Sequence, residues 1–468
     1  MYSGLDLGVV IPVRLGSSRV TQKALLPVGK SRVSLLAWKI RQIKKILNTD
    51  NIYISTEAQE LKDIAIAEGV QVHHRDYHLA DGHKATFSEV ITGIVKDIPH
   101  EHIAWVTAVV PLMSPQEYLG AFESYQANVV AKNPAFDSLI SVNLLKEYFW
   151  NDDGPINYEA NKRHTISQEL PNIYRVTNGL YMAPKEQMLK KEYLIGDNPH
   201  KYVVSKMAGI DIDEYEDYEM SQGLFDFYIQ EHDDLTRRNH VFLDFDGVVF
   251  NSVKESFVVA MLAVGLASDL SDVDFDGAEY QAFRAMRYEV GPAWNYYYVM
   301  QSLGGGKLSI PSVKSVEAEK FETDFFAARK KLRNSSYSDW LALHEVYDGF
   351  APVIDMMRSN ANKFSVITTK DESSVHSLLE DVLGVKGIPV YGANVFSKDG
   401  SKGETIKNLM TLLGVSSGVY VDDSKKHLAS CIGIKGLTLI HSQWGYVSDL
   451  DQNDNYNEVI TRVRMLLD

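Results

Sequence analysis

Short apolar runs alternate along the first half of the chain with stretches in which apolar positions recur at helical spacing. The run GVVIPV, residues 8–13, has the continuous apolar character of a buried strand. The same pattern predicts further strands at residues 51–55, 70–72, 103–107 and 138–142. It predicts helices at residues 34–46, 59–67, 87–95, 115–126 and 214–229. Strands that alternate with helices are typical of a parallel sheet covered by helices, which is the α/β class.

A polar, charged stretch without apolar periodicity, EHDDLTRRN at residues 231–239, interrupts this alternation. We interpret it as a linker between a first domain at residues 1–230 and a second at residues 240–468. The second domain opens with the strand-like run HVFLDFDGVVF, becomes almost wholly helical over residues 251–345, and alternates again from residue 363. The pattern therefore predicts a second α/β domain with a helical block inserted after its first strand.

The composition narrows the class of protein. With 47 Lys and Arg against 62 Asp and Glu, the formal charge is −15, which argues against a general nucleic-acid binder. Cys431 is the single cysteine, so no intrachain disulfide can form and a reducing compartment fits. The sequence lacks an apolar run of about 18 residues and a charged-then-apolar leader. We therefore expect a cytoplasmic protein that contacts neither nucleic acid nor a membrane.

The loop that follows the first strand, RLGSSR, combines small residues with cations. Gly16 and Ser17 allow backbone N–H groups to approach phosphate oxygens closely. Arg14, Arg19 and Lys23 add positive charge at the carboxyl end of a strand, where ligands bind in doubly wound sheets. The alternative is a solvated basic turn. The position after a first strand favours a site for a triphosphate.

Two aspartates, Asp211 and Asp213, are separated by one residue and follow an apolar stretch that predicts a strand. Alternate positions at the end of a strand face the same side, so the two carboxylates could share a divalent cation. In the alternative interpretation, Asp213 only caps the helix that begins at Glu214.

Three segments, VVIPVRLGSSRVTQKALLPVG, LPNIYRVTNGLYMAP and GIDIDEYEDYEMSQ, occur in that order. Together they resemble the superfamily of CMP-N-acylneuraminate and CMP-Kdo synthetases, over roughly residues 8–228. The resemblance implies a nucleotide-diphospho-sugar transferase-like fold. The roles that it implies are CTP binding by Arg14, Gly16, Ser17, Arg19 and Lys23, with Arg14 and Lys23 catalytic; Mg²⁺ binding by Asp211 and Asp213; and acceptor binding by Asn178 and Gln168.

The chain departs from this superfamily in the part that would contact the acceptor. Residues 107–111 read TAVVP, where sialic-acid enzymes carry Gln-x-Thr-Ser-Pro. Residues 166–168 read Ile-Ser-Gln, where those enzymes carry Arg-Arg-Gln, so an arginine that would pair with an acidic acceptor is missing. The loop RLGSSR is closer to the Kdo form, whereas Asp-Ile-Asp is closer to the sialic-acid form. The nucleotide half of the site is therefore intact, and the acceptor half is rewritten.

Four motifs of the second domain each follow a hydrophobic strand. Phosphoryl transfer through an aspartyl phosphate needs one carboxylate as nucleophile and a second as proton donor, and Asp244 and Asp246 have this spacing. Thr368 offers a hydroxyl and Lys402 a cation for the phosphoryl oxygens. Any one of these residues alone could instead belong to a turn or a cap. The acid cluster that could hold a divalent cation consists of Asp244, Asp246, Asp422 and Asp423.

The order of these motifs resembles the haloacid dehalogenase (HAD) superfamily over roughly residues 239–468. The resemblance implies a HAD-like Rossmannoid sheet with Asp244 as nucleophile, Asp246 as acid/base, and Mg²⁺ as cofactor. The helical block resembles the mobile cap of that family, which closes over small substrates and excludes water. Arg284 and Arg287 within it could bind a substrate carboxylate. The aromatic stripe beside them, PAWNYYY at residues 292–298, is expected to form the core of the cap. The predicted fold class is α/β, with two doubly wound parallel-sheet domains and a helical cap inserted in the second.

Together the two resemblances imply a bifunctional enzyme of polysaccharide biosynthesis. Its phosphatase would remove phosphate from an acidic sugar phosphate, of nonulosonate or Kdo-like type, and its cytidylyltransferase would join the sugar to CMP and release pyrophosphate. The expected partners are CTP, the acidic sugar, a small phosphate monoester and further copies of the chain. In one alternative the acceptor is a phosphonate or another small phosphorylated acid. In another, one domain is catalytically silent and serves oligomerisation.

Overall fold

The computed structural model describes residues 1–16, 19–80, 84–162, 164–236 and 238–467. The chain divides into two compact units. The first unit covers Met1–Arg237 together with Thr411–Gly414, and the second covers Arg238–Met410 together with Val415–Asp468. Among the described helices, none combines the length and the apolarity needed to cross a membrane.

The first unit is built on a mixed sheet with helices between its strands. Its strands are β1 Leu7–Pro12, β2 Ile52–Thr56, β3 Gln71–His74, β4 His102–Val106, β5 Ser138–Leu145, β6 Trp150–Asn151, β7 Gly154–Pro155, β8 Ile173–Pro184 and β9 Pro199–Val203. Its helices are α1 Leu35–Lys44, α2 Gln59–Glu68, α3 Tyr77–Ala80, α4 Phe87–Val95, α5 Pro115–Asn128, α6 Lys185–Lys191 and α7 Tyr215–Glu231. Short 3-10 helices lie at Lys23–Leu25, Thr49–Asn51, Ser167–Glu169, Met207–Gly209 and Asp233–Thr236.

The seven-stranded sheet has the order β3-β2-β1-β4-β8-β5-β9. β1 pairs in parallel with β2 and β4, so the loops that follow these strands leave from one edge of the sheet. β8 runs antiparallel to both β4 and β5, which an all-parallel prediction did not anticipate. Its register pairs Leu180 with Val106 and brings Asn178 to that same edge. The loop after β1, which carries predicted nucleotide residues, and Asn178 of β8 thus lie at the same edge of the sheet.

Capping explains where several helices of this unit begin. The side chain of Ser34 accepts a hydrogen bond from the backbone N–H of Ala37 at the start of α1. Thr86 and Ser114 start α4 and α5 with reciprocal capping boxes, in which Glu89 and Glu117 reach back to the cap residue. Both helices therefore start where the sequence pattern predicts.

One local prediction for this unit was wrong, and the predicted linker contains more regular structure than expected. The segment before Asp211 is a 3-10 helix, Met207–Gly209, and not a strand. The predicted linker is partly ordered, because α7 continues to Glu231 and a 3-10 helix occupies Asp233–Thr236, where Leu235 is buried. A charged composition hid this order, since Leu235 is the one large apolar side chain of the stretch EHDDLTRRN.

The second unit has a five-stranded sheet and a helical insertion. Its strands are β10 Asn239–Leu243, β11 Phe250–Asn251, β12 Glu345–Val346, β13 Phe364–Ile367, β14 Val390–Tyr391, β15 Ser417–Asp422 and β16 Leu437–His441. Its helices are α8 Val253–Ala263, α9 Ala278–Met286, α10 Tyr296–Ser302, α11 Val316–Ser335, α12 Tyr337–Ala342, α13 Ala351–Ser359, α14 Glu372–Asp381, α15 Ala393–Asp399, α16 Lys402–Leu412, α17 Lys425–Ser430 and α18 Tyr456–Leu467. Its 3-10 helices are Leu270–Asp272, Arg287–Glu289, Ala293–Asn295, Asp348–Phe350 and Ala361–Lys363.

The five strands have the order β14-β13-β10-β15-β16 and all pair in parallel. Helices α8 to α12 leave and return through β11 and β12, which pair antiparallel with Phe250 opposite Val346. The ring of Tyr296 stacks on Phe283 and Phe325 at centroid distances of 5.2 and 5.4 Å, so this residue of the aromatic stripe lies in the core of the insertion. Trp294, Tyr297 and Tyr298 are partly exposed. The α/β class, the parallel sheet and the helical insertion are therefore confirmed.

Candidate active sites

Of the three cations in the loop after β1, Arg14 binds a backbone carbonyl, whereas Arg19 and Lys23 both lie near Asp213. Arg14 is exposed and its Nη1 donates to the carbonyl oxygen of Ala80 at 2.9 Å. Arg19 extends from the other end of the loop, and its Nη2 lies 2.8 Å from Oδ1 of Asp213. A Cβ added to Gly16 would meet no atom of the described residues within 4 Å. Ser17 lies outside the described residues.

Lys23 connects the loop to the acidic segment. It begins the 3-10 helix Lys23–Leu25, and its side chain is only 13% exposed. Its Nζ donates to the carbonyl oxygen of Ile212 and lies 3.8 Å from Oδ1 of Asp213. Burial lowers the pKa of Lys23, and the neighbouring carboxylates of Asp213 and Asp211 oppose that effect. A half-buried ammonium beside two carboxylates is suited to bind a phosphate anion that is complexed with a divalent cation.

Asp211 has one carboxylate oxygen paired and one open. Its Oδ2 accepts a hydrogen bond from Nδ2 of Asn178 at 2.9 Å. Its Oδ1 is buried and has no hydrogen-bond partner within the described part of the chain. Burial raises the pKa of Asp211, while the hydrogen bond from Asn178 lowers it. A buried, open carboxylate oxygen beside Asp213 fits a hard cation such as Mg²⁺, which prefers oxygen ligands.

The capping interpretation of Asp213 is wrong. The N-cap residue of α7 is Glu214. Asp217 completes the helix start, because its Oδ2 accepts from the backbone N–H groups of Asp213 and Glu214 at 2.9 and 2.8 Å. The side chain of Asp213 is therefore free of the helix end and points to Arg19 and Lys23.

Asn178 is fixed in an unusual backbone conformation. Its φ is 57°, in the left-handed region that Asn tolerates better than most residues. Its carbonyl oxygen accepts from Oγ1 of Thr107 at 2.8 Å, and its Oδ1 accepts from the hydroxyl of Tyr181 at 2.7 Å. The amide nitrogen is thereby directed to Asp211. The predicted acceptor residue and a predicted metal ligand are thus direct neighbours.

The other two segments of the predicted acceptor region, after Thr107 and around Gln168, have different surroundings. The segment after Thr107 is held from behind, because Nζ of Lys39 donates to the carbonyl oxygen of Val110 at 2.7 Å and Nε1 of Trp38 to that of Pro111 at 2.8 Å. Gln168 instead lies in the exposed 3-10 helix Ser167–Glu169, where its Oε1 accepts from Ser167 at 3.3 Å. The structure does not join Gln168 to Asn178 through any contact among the described residues.

In the second unit, a lysine bridges two carboxylates at the ends of neighbouring strands. The register of β10 on β15 pairs Leu243 with Val421, which places Asp244 beside Asp422. Lys402, the first residue of α16, reaches both, with Nζ 2.8 Å from Oδ2 of Asp244 and 2.9 Å from Oδ2 of Asp422. The ammonium is 1% exposed, so the three charges form one buried cluster.

The pKa values of the two carboxyl groups in this cluster are shifted in opposite directions. Burial and the neighbouring charge of Asp422 raise the pKa of Asp244, and Lys402 opposes them. Burial also acts against ionised Asp422, but Lys402 and His427 outweigh it and lower the pKa of that carboxyl. The pKa of Lys402 itself is raised, since the two carboxylates overcome the effect of its burial. Lys402 is therefore held as a cation, and additional positive charge near Asp244 would favour its ionised, nucleophilic form.

Asp422 and Asp423 lie in different places, although both are predicted metal ligands. Asp423 lines a cavity of about 320 Å³ together with Asp244, Asp246 and Thr368. Asp422 is fully buried, with Oδ2 bound by Lys402 and the hydroxyl of Tyr420, and Oδ1 accepting from the backbone of Ser424 at 2.7 Å. The ligand atoms of Asp244, Asp422 and His427 also lie within 4.8 Å of one another, but the Lys402 ammonium already bridges the two acids there.

The donors in the cavity wall fit a magnesium ion. Asp244, Asp246 and Asp423 are carboxylates, the ligands that hard cations prefer. Burial and the charges of Asp422 and Asp244 raise the pKa of Asp423, and a cation would relieve this excess of negative charge. The loop approaches Asp423 closely at Gly247, whose φ is 89° and where a Cβ would collide with that carboxylate. The glycine of the motif Asp-Phe-Asp-Gly is therefore required by space as well as by backbone conformation.

Asp246 and Thr368 complete the predicted set. Asp246 Oδ1 accepts hydrogen bonds from Oγ of Ser252 and, at 3.2 Å, from Nζ of Lys370. Thr368 follows β13, where its backbone N–H donates to Tyr391 at 3.0 Å. The structure thus brings Asp244, Asp246, Thr368 and Asp423 to one cavity, with Lys402 against Asp244.

The sequence pattern missed one candidate residue, Lys370, and did not distinguish a second, Arg287, from Arg284. Lys370 was missed, although its position two residues after Thr368 in the run Thr-Thr-Lys was a usable signal. Arg287 lines the cavity, and its guanidinium lies 3.9 Å from the ring centroid of Tyr446. Arg284 lies in the wall of an adjoining cavity of about 700 Å³, which Arg287 also lines. Only Arg287 thus contacts the space that holds the acids.

The similarities to known families and curated proteins lie in the first unit. Residues 9–232 match the model of the Cytidylyltransferase family. Post-translational flagellin modification protein B of Campylobacter coli is 23% identical over 228 residues, which are 46% of this chain and 92% of that protein. A 3-deoxy-manno-octulosonate cytidylyltransferase of Rickettsia bellii is 27% identical over 137 residues, 29% of this chain and 52% of that protein. The first unit is thus similar to cytidylyltransferases over residues 9–232.

Among solved structures, a predicted phosphatase from Clostridium acetobutylicum is similar with a TM-score of 0.35 and 14% identity. The alignment covers 49% of this chain and 99% of that one.

Proposed function

We propose that the first unit transfers CMP from CTP to an acidic sugar, and that the second unit hydrolyses the phosphate ester of that sugar's precursor. The observation that carries the proposal is the cavity lined by Asp244, Asp246, Asp423 and Thr368, with Lys402 paired to Asp244. Such a set is suited to phosphoryl transfer. For the first unit, the match over residues 9–232 supports the reaction class.

In the first reaction, the acceptor oxygen attacks the α-phosphorus of CTP, and the bond to the bridging oxygen breaks to release pyrophosphate. Lys23 and Arg19, now paired with Asp213, supply the cations that bind the phosphate oxygens. Mg²⁺ bound to Asp211 and Asp213 would neutralise charge on the triphosphate. Asn178 donates a hydrogen bond to Asp211, and we assign to it the contact with the acceptor.

In the second reaction, a carboxylate oxygen of Asp244 attacks the phosphorus and the ester oxygen leaves with a proton from Asp246. Water then attacks the aspartyl phosphate, gives a proton to Asp246, and releases inorganic phosphate. Lys402 stabilises the charge on Asp244 and on the phosphoryl group, and Thr368 donates its hydroxyl to a phosphoryl oxygen. Mg²⁺ at Asp244 and Asp423 would neutralise the charge that the carboxylates bring to the phosphorus, and the side chain of Asp246 is left for proton transfer.

The test of both halves is one incubation with two readouts. The full-length protein is mixed with CTP, Mg²⁺ and a panel of acidic sugars, their phosphate esters and phosphonates. Pyrophosphate release reports the first reaction and inorganic phosphate the second. Phosphate release from a sugar phosphate, followed by pyrophosphate release with the same sugar, is the expected result. Pyrophosphate release with phosphonates alone would contradict the sugar assignment, and absence of phosphate release would contradict the second activity.

N-Acetylneuraminate is expected to be a poor acceptor, with a kcat/KM at least about tenfold below that of the best acid in the panel. Val110 and Ile166 stand where polar or basic residues would contact a sialic acid, and a pocket without those partners discriminates against the ligand that needs them. The measurement is pyrophosphate release at varied acceptor concentration. A kcat/KM for N-acetylneuraminate equal to the best of the panel would refute this interpretation of the pocket.

A further inference from the structure

A network of buried charges lies behind Asp246 in the second unit. Lys370 is 3% exposed, and its Nζ lies 3.2 Å from Oδ1 of Asp246, 3.5 Å from Oε2 of Glu255 and 3.3 Å from Nε2 of His344. Glu255 is fully buried. Burying ionic groups is costly unless the geometry is good and every group is paired. A network of this kind, in contact with a predicted proton donor, therefore calls for a functional explanation.

Glu255 is held by the helical insertion on several sides. It lies on α8 and accepts from Nε and Nη2 of Arg329 on α11, at 2.6 and 3.0 Å. Nε1 of Trp340 on α12 donates to it at 3.3 Å. Arg329 also lies 3.6 Å from Asp371, the residue after Lys370. The position of the Lys370 ammonium is thus fixed by residues of three helices of the insertion.

The contacts of Asp246 are confined to one of its oxygens. Ser252 and Lys370 both donate to Oδ1, and among the described residues no donor reaches Oδ2. Asp246 itself is part of the cavity wall, as are Thr368 and Thr369, whereas Lys370 is not among the described residues of that wall. Lys370 therefore acts on Asp246 from outside the substrate space.

We propose that Lys370 is a positioning residue for Asp246: its ammonium, anchored by Glu255, fixes Oδ1 so that Oδ2 is the oxygen presented to the leaving group. The inference rests on the proposed phosphatase function of this cavity. It identifies no new contact with substrate. It assigns to the pair Lys370 and Glu255 the orientation of the carboxyl that protonates the departing alcohol.

The positioning role makes a specific kinetic prediction for Lys370→Met. A misplaced proton donor should slow cleavage of esters whose leaving oxygen needs a proton, and should affect an ester with a stable leaving anion much less. We expect kcat/KM to fall at least about 30-fold for glycerol 1-phosphate, because general acid catalysis contributes about 10²–10⁴-fold. For p-nitrophenyl phosphate we expect a decrease of less than about fivefold, since its leaving group departs without protonation. The measurement uses the full-length protein with Mg²⁺.

Two further variants separate positioning from folding. The double variant Glu255→Gln, Lys370→Met removes one charge of each sign, so it leaves the net charge of the network unchanged. We expect it to melt closer to wild type than Lys370→Met does, yet to retain the selective loss on glycerol 1-phosphate. The matched control is Lys254→Met, at the residue before Glu255. Nζ of Lys254 lies 2.6 Å from Oε1 of Glu345 in an exposed ion pair, so its loss should leave both rates unchanged.

Four outcomes would overturn the inference. Equal losses on the two esters would show a general structural defect, and unchanged rates would show that Lys370 does not act on Asp246. Recovery of glycerol 1-phosphate cleavage in the double variant would show that charge balance alone matters. A wild-type protein inactive on both esters would contradict the proposed phosphatase function, and the inference with it. Activity of the wild type, abolished by Asp244→Asn, shows that the function stands and that only the role of Lys370 is in question.

Discussion

Asp244→Asn is expected to abolish phosphate-ester hydrolysis, with kcat at least about 10³-fold lower, and to leave CMP transfer unchanged. An amide oxygen is a far weaker nucleophile than a carboxylate, and Asn also withdraws one of the two charges that hold Lys402. Asn nearly conserves the volume of Asp, and Asp422 still pairs with Lys402, so the unit should remain folded. Phosphate and pyrophosphate release, measured on one preparation, report the two activities.

The matched control for this variant is Asp355→Asn. Asp355 is on α13 of the same unit, with a 73% exposed side chain paired to Arg358, so the same substitution there should change neither activity. Loss of both activities in folded Asp244→Asn protein, as judged by an unchanged melting temperature, would contradict two independent sites. Retained hydrolysis would show that Asp244 is not the nucleophile.

Lys23→Ala is expected to raise the KM for CTP about 10- to 100-fold, since it removes a charge-assisted contact to phosphate from a half-buried position. The variant also loses the hydrogen bond to Ile212, which fixes the segment between Asp211 and Asp213. Phosphate-ester hydrolysis should not change. Pyrophosphate release at varied CTP concentration is the measurement.

Two neighbouring substitutions calibrate that result. Lys30→Ala removes a lysine whose side chain is 91% exposed and should leave the KM for CTP unchanged. Arg14→Ala should also weaken CTP use, but less than Lys23→Ala, because Arg14 is bound to Ala80 and not to the acidic segment. Unchanged CTP kinetics in both Lys23→Ala and Arg14→Ala would show that the loop after β1 is an ordinary turn.

The fold was predictable where local signals agree with burial. The strand predicted at residues 103–107 is β4, His102–Val106, and the helix predicted at residues 87–95 is α4, whose capping box begins at Thr86. The direction of β8 was not predictable, because strand periodicity is the same in parallel and antiparallel pairs. The 3-10 helix before Asp211 was missed because its apolar residues, Met207 and Ala208, resemble a short strand.

The candidate sites were predictable as motifs but not as geometry. Spacing identifies the pair Asp244 and Asp246. Asp244 directly follows a buried strand, and Asp246 lies two residues further along the chain. Spacing cannot tell Asp422 from Asp423, because consecutive residues face opposite sides of a strand and either side could face the cavity. Glu255 and Lys370 are 115 positions apart in sequence and meet only through the fold, at 3.5 Å. Long-range contacts of this kind leave no local pattern.

The helical insertion leaves and re-enters its sheet through β11 and β12, which are direct neighbours. A segment with adjacent ends can be lengthened, shortened or replaced while the strands that bear Asp244 and Asp422 keep their register. Under the proposed phosphatase function, selection on the range of accepted esters can therefore act on α8 to α12 without altering Asp244. The contact of Glu255 with Lys370 sets the limit of this freedom, because a replacement segment must still provide a carboxylate there. Evolutionary change in this unit is thus expected to be modular, with one ion pair as the inherited constraint.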